Sequence, residues 1–374
     1  MVRPSSTYQA LNLHVPPGWL GVLGASFAVI PLVLAVPSGH AVDRFGERLV
    51  MAVGSALLTL SGLGFVLLGG SVAGLVLANM VLGTGHLLSV VAQQAFVANR
   101  TPAGSYDSAF GHYTFAASLG QALGPGLIVV FGGSRAIPDT QAIFIGAIVL
   151  ALPAVAAAVF LHRSGHHETA GAPAAGGFRD LLRQTGLVRA LTVSCVVLAA
   201  VDITLVYLPA LGTERSIAAG SIGVLLTLRA IASMASRLFL GRLAAALGRR
   251  RLLVGTVAVS AIGLGALLVP MPVWLMAVIV VAAGLGLGAG QPLTMSFLAE
   301  SAPPGLRGRA MSLRLTGNRL GQVIIPSVAG AIAAGTGAAG VLALTAAGLT
   351  GAAVAARGLH QPRPSSPRPV PDSE

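Results

Sequence analysis

Apolar residues in this chain come in long blocks and not in the stripes that mark a soluble helix. Eleven blocks, at 18–41, 49–69, 72–98, 109–132, 141–162, 187–211, 218–241, 251–270, 273–299, 309–334 and 338–357, are each close to the length of about 20 residues that carries a helix across a bilayer core. A helix at a soluble core would show one apolar face and one polar face. These blocks are apolar all round, which predicts an all-α membrane protein with eleven crossings. Connections such as Gly69-Gly70-Ser71 and Pro270-Met271-Pro272 are so short that neighbouring spans must run antiparallel.

A repeat organises the blocks. The run Gly39–Arg48 recurs at Gly241–Arg250. Leu119-Gly120-Gln121 with Pro125 recurs as Leu320-Gly321-Gln322 with Pro326, and Gly83, Gly85 and Phe96 recur as Gly284, Gly286 and Phe297. The predicted domains are a five-helix bundle at 1–162, a linker rich in Gly, Ala and His at 163–186, a six-helix bundle at 187–357 and a disordered tail at 358–374. Five spans against six predicts that the front repeat lacks its first helix, so that residues 1–17 form the outer loop following it. A misplaced start, a true eleven-helix protein and a decayed gene are the three readings of that asymmetry.

Composition agrees with the pattern: 55% of residues are hydrophobic, only 9% are charged, and the mean hydropathy is +0.84. That departs from soluble domains, which are nearer a quarter charged. The net charge of +12 comes from Arg alone, because the sequence has no Lys. In a soluble protein such a balance suggests nucleic acid. Here most Arg sit in short connections and report topology. Arg3, Arg135 and Arg215 fall on one side. Most of the others, including Arg44, Arg48, Arg100, Arg249, Arg250 and Arg307, fall on the opposite side, which is predicted to be cytoplasmic together with the linker and the C-terminus. Cys195 is the one cysteine, so no internal disulfide or cysteine metal cluster is expected.

The run Gly39-His40-Ala41-Val42-Asp43-Arg44-Phe45-Gly46-Glu47-Arg48 resembles the G-x-x-x-D-R-x-G-x-R signature loop of the major facilitator superfamily of secondary transporters. The resemblance extends over essentially the whole chain, although the second copy carries Ala245 where the acid belongs. It implies a twelve-helix fold of two pseudo-symmetric bundles around a midplane site, with Gly39, Asp43, Arg44, Gly46, Arg48, Gly241, Arg249 and Arg250 forming a gate. Physically, the glycines allow tight turns and close helix approach. Asp43 can pair with a nearby Arg or accept from an exposed helix N-terminus. Gly120, Gly124 and Pro125 resemble the Gly-Pro pattern of proton-driven exporters in the family and are read as a helix-packing motif, with the later glycines of that pattern replaced by Ile128 and Val129.

Polar groups inside spans are costly and usually face a wet interior. Asn79, His86, Ser89 and Gln93 fall on one helical face. His86, Gln93, Gln121, Asn318, Arg319 and Gln322 are therefore candidates to line a substrate cavity. Asp202, the one acid of its span, is the candidate proton-coupling group, with Arg229 as its partner; a static ion pair is the alternative. Arg314 is expected to pair with Glu300 or to snorkel. Gly284, Gly286, Gly288 and Gly290 lack a preceding strand and read as helix contacts instead of a nucleotide loop. No nucleophile with a base, paired carboxylates or metal-ligand spacing points to an enzyme, a cofactor or a metal.

The sequence thus predicts a monomeric, multi-pass carrier in the cell membrane whose partners are lipid, protons and a small solute. Efflux of amphipathic or drug-like molecules is the leading expectation. Uptake or exchange of a metabolite, sugar or anion is the alternative, and a transport-incompetent truncated protein is a further one.

Overall fold

The computed structural model describes residues 5–6, 9–10, 12–13, 17–102, 104–132, 140–160, 186–302 and 305–359. Among them every regular element is a helix. In chain order these are α1 (Pro17–Phe45), α2 (Glu47–Leu68), α3 (Val72–Arg100), α4 (Tyr106–Gly132), α5 (Thr140–Phe160), α6 (Leu187–Glu214), α7 (Ala219–Leu238), α8 (Leu240–Leu247), α9 (Arg249–Ala266), α10 (Val273–Ser301) and α11 (Arg307–Arg357). Helix α11 bends at Gly337, where φ is 67°, so its arms 307–336 and 338–357 take up the last two apolar blocks. The short helix α8 is an element that the apolar pattern does not separate from α7. Among the described residues, seven helical stretches are long and apolar enough to cross a membrane. The linker up to residue 185 and the tail from residue 360 lie outside the described residues.

The chain forms two compact units, neither contiguous in sequence. The first comprises Met1–Arg100, His112–Leu181 and Ala302–Ala331; the second comprises Thr101–Gly111, Leu182–Ser301 and Ile332–Glu374. Helix α4 therefore starts in the second unit and continues in the first, while α11 starts in the first and ends in the second.

Within the first unit α3 packs on both α1 and α2, and α2 packs on α5. Within the second, α10 packs on α7 and α9 in the same way, and also on α6. Repeated glycines make these contacts. A Cβ at Gly85 would lie 2.8 Å from the Gly54 carbonyl oxygen of α2, and one at Gly284 would lie 2.7 Å from the Arg229 carbonyl oxygen of α7. Likewise, a Cβ at Gly288 would lie 2.6 Å from the Ser233 Cα, and one at Gly290 would lie 2.9 Å from Val197. Lipid is as apolar as leucine, so helix association in a bilayer depends on such close approach. The row of α10 glycines is a packing stripe. In the first unit Phe65 stacks on Phe144 with centroids 4.8 Å apart. Val33, Leu67, Phe160 and Ile262 are more than 70% exposed, as lipid-facing residues would be.

The expectation that residues 1–17 are a loop needs correction. Where described, residues 5–12 are helical, and Ala10 is fully buried with Leu23, Phe27 and Leu75. Gln9 donates to the Gly69 carbonyl at 3.1 Å and accepts from the Thr140 hydroxyl at the start of α5. The end of α6 does the equivalent in the second unit: Glu214 accepts from the Ala338 amide at 2.7 Å, capping the second arm of α11. Both segments satisfy backbone or side-chain donors at a helix start that would otherwise lack partners.

Candidate functional site

The first signature run is mostly helix, not loop. Helix α1 continues to Phe45, and Gly46 alone, at φ 85° and ψ 156°, turns the chain into α2. That positive φ is one an L side chain would adopt only with strain. The turn leaves Asp43 on the last turn of α1, facing the start of α11. Its Oδ1 accepts from the Gly308 amide at 2.8 Å and its Oδ2 from the Arg309 amide at 3.1 Å, while the Arg309 Nε lies 3.5 Å away. Asp43 is thus an N-cap contributed from another helix, and its negative charge meets the positive end of the α11 dipole.

Gly39 permits this approach, because a Cβ there would lie 2.8 Å from the Arg309 Cα. Asp43 sits just past the apolar block, and burial pushes its carboxyl up to about 7. The two amides and the Arg309 charge oppose that rise, and nearby Glu47 adds to it. Beneath the cap, Asn99 donates to Glu47, and Arg307 donates to the Ala98 carbonyl at 2.8 Å.

The second unit repeats the geometry with the charges redistributed. Gly248, at φ 81°, turns α8 into α9. A Cβ at Gly241 would lie 2.7 Å from the Ser108 Cβ at the start of α4. Ala245 offers no acid, and Asp107 on α4 supplies one instead. The Arg249 Nε lies 2.8 Å from both Asp107 oxygens, and the Arg249 Nη1 donates to Glu300. Arg249 and Asp107 are buried, with the Arg249 side chain 6% exposed, and Glu300 is half-buried. Under the repeat Asn99 matches Glu300 and Glu47 matches Arg249, so one structural position is held by opposite charges in the two units. Arg44, Arg48 and Arg250 are exposed and join neither cluster.

The polar residues within spans divide in two. In the first unit His86, exposed on α3, lies 5.8 Å from the Phe27 ring, and the Arg319 guanidinium lies 5.9 Å from the same ring, so two candidates meet around one aromatic. Tyr113 donates to Gln93 at 3.3 Å. Asn79 and Ser89 are buried: the Asn79 amide donates to its own helix at Leu75, and Ser89 packs on Gly54. Asn318 is buried and Gln121 is exposed, while the side chain of Gln322 lies outside the described set, as do those of Gly124 and Pro125. Gly120 makes no packing contact among the described residues, since a Cβ there would meet none of them within 4 Å. In the second unit Arg229 is 6% exposed and feels the charge of half-buried Asp202. Arg237 donates to the Gly288 carbonyl at 3.2 Å.

Arg314 neither snorkels nor pairs with Glu300. It is 2% exposed, and its Nη2 donates to Gln94 at 2.9 Å. Sequence reasoning also missed Gly308, Arg309, Asp107 and Glu300 as partners of the signature runs. Comparing acids and amides at repeat-related positions would have paired Asn99 with Glu300.

A family model described as Major Facilitator Superfamily matches residues 1–215 and again 190–374. Two curated Bacillus subtilis proteins are similar over part of their length. Multidrug resistance protein 1 is 28% identical over 31% of this chain and 30% of that protein. Multidrug resistance protein 2 is 30% identical over 40% and 36%. The chain thus spans about a third of the curated relatives it matches. Among solved structures, the E. coli fucose:proton symporter FucP superposes with a TM-score of 0.83 at 13% identity, covering 96% of this chain and 94% of that one. The proton:xylose symporter XylE gives 0.76 at 17%, covering 94% and 90%. The human organic anion transporter MFSD10 gives 0.76 at 17%, covering 95% and 89%.

Proposed function

We infer, for a chain that belongs to the Major Facilitator Superfamily, a proton-coupled carrier that takes up or exchanges a small metabolite, sugar or organic anion. Membership makes it an all-helical, multi-pass membrane protein, a secondary active transporter working by alternating access and not an enzyme. The observation that carries the coupling is that Arg229, buried in the second unit, feels the charge of half-buried Asp202. Such a carboxyl is balanced between desolvation, which favours its neutral form, and the cation, which favours its charge. It can therefore exchange a proton for the Arg229 contact as the site alternates. The solute class is supported by proteins of the same fold, a fucose:proton symporter, a proton:xylose symporter and an organic anion transporter.

We place eleven crossings, five before the linker and six after it, in a monomer whose linker and C-terminus are cytoplasmic. The Asp43 cluster and the Arg249 cluster then each lie at the cytoplasmic end of their own unit. The test is reconstitution with a pH-sensitive dye inside the vesicles. Candidate solutes should drive proton movement in the wild type, and Asp202→Asn should abolish it while sparing solute exchange at equal pH. Proton movement that survives Asp202→Asn would remove Asp202 from the coupling.

A second reading, efflux of amphipathic molecules, is favoured by the likeness to two multidrug resistance proteins and by the Gly120–Pro125 pattern. Extrusion of lipophilic cations from inverted vesicles, with no response to metabolites, would establish it.

A further inference from the structure

We propose that Arg314 anchors an anion-binding site in the first unit, and that the transported solute carries a carboxylate or phosphate group. This deepens the transport reading above and rests on it. Arg314 is the eighth residue of α11, about 10 Å along the helix from Arg307. Its guanidinium is fully buried. One nitrogen, Nη2, donates to Gln94, whereas Nε and Nη1 have no hydrogen-bond partner.

Two other buried arginines and half-buried Arg309 each lie beside an acid or within its field. Arg249 has Asp107 and Glu300, Arg309 has Asp43, and Arg229 has Asp202. Arg314 faces neutral groups, the Gln94 amide and the Tyr113 phenol. An arginine cannot shed its proton to escape burial, and a buried charge without a counterion is strongly unfavourable.

The neighbourhood supplies what an anion needs. The phenol of Tyr113 and the amide of Asn318, one turn beyond Arg314 on α11 and 4% exposed, add polar groups near the guanidinium. Gly317, also one turn on, is uncrowded, because a Cβ there would meet nothing within 4 Å among the described residues. A cation with two donor nitrogens to spare and neutral polar neighbours selects a negatively charged group.

The full chain in detergent is titrated with succinate, acetate and inorganic phosphate, with succinamide as a neutral match and tetraphenylphosphonium as a lipophilic cation. Thermal stability and calorimetric affinity are read together. At least one anion should raise the Tm of the wild type and succinamide should not. Arg314→Gln should weaken that anion by about tenfold or more while leaving the unliganded Tm equal or higher, since an uncompensated charge has gone. Binding of tetraphenylphosphonium with no response to any anion would overturn the proposal. So would equal anion affinity in Arg314→Gln, or a fall in its unliganded Tm that marks Arg314 as purely structural.

Arg314→Lys gives a second test, with charge retained and the planar fork lost. Weaker anion binding at an unchanged Tm supports the site, and unchanged affinity overturns it. Asp202→Asn should bind the same anion, so failure of the anion site and failure of proton coupling are read separately.

Discussion

The Asp43 carboxylate and the Gly308 amide are separated by most of the chain, yet they meet at 2.8 Å. Through that bond and its neighbour at Arg309, the end of α1 caps the start of α11. The positive end of a helix dipole is held by an acid that the sequence places in a different repeat.

This contact should respond to pH. Burial raises the Asp43 carboxyl from its ordinary 3.8 to about 7, against the opposing pull of Arg309 and with Glu47 adding to the rise. A released, hydrated Asp43 keeps the ordinary value. The capped state therefore binds the proton more tightly, so protonation favours it fully below pH 3.8, and that advantage is lost as pH rises through 7. Between pH 8 and pH 6 the capped state should gain about tenfold over the released one. Maleimide labelling of Ser312→Cys, in a Cys195→Ser background, reads the exposure of the helix start; labelling should slow as pH falls. In Asp43→Asn the rate should be flat across this range, and a flat wild-type profile would contradict the linkage.

Removing Arg249 should be severe. The substitution Arg249→Ala leaves Asp107 buried without its cation, and breaking a buried pair from one side costs about 3–5 kcal/mol. Thermal unfolding should show a large loss, and the double variant Arg249→Leu with Asp107→Leu should recover much of it. A double variant no better than the single one would mean that the pair is not the source of the loss.

Gly39 and Gly241 should tolerate side chains poorly for the same reason in both units. A Cβ at either position falls within 2.8 Å of a neighbouring helix, closer than carbon atoms pack. Gly39→Val and Gly241→Val should each lower the Tm or hold the helix start exposed to the maleimide probe. Gly120→Ala, facing open space, should be neutral.

Glu214 should behave as a cap. Its carboxylate accepts from Ala338 just after the bend at Gly337. Glu214→Ala should cost about 0.5–2 kcal/mol of stability, while Glu214→Gln, which keeps an acceptor oxygen, should cost less. Chemical denaturation in mild detergent compares them, and equal losses would point to packing instead of capping.

Much of the architecture was legible before any coordinates. Apolar blocks of crossing length are a local property, and each became helix. Gly46 and Gly248 end helices in both copies of the signature because only glycine adopts their positive φ without strain. The glycine stripe at 284–290 was readable as packing for a related reason: close approach in lipid needs small residues at fixed spacing. Other expectations failed at particular places. The signature was expected to be a loop, but α1 continues through it. Gly120 was expected to pack but meets nothing, and Arg314 was expected to reach solvent or Glu300 but is enclosed.

The sequence by itself determined the solvent, the helices and the repeat, since all three follow from chain-local hydropathy, glycine placement and recurrence. Only the tertiary structure decided which charges meet: Asp43 with Gly308 and Arg309, Arg249 with Asp107 and Glu300, and Arg314 with a neutral amide. In a chain made for lipid, the buried and the lipid-facing sides of a helix are both apolar, so no stripe announces which way a lone polar group turns. Its partner is chosen by packing between segments from about fifty to more than two hundred residues apart, where hydropathy carries no information.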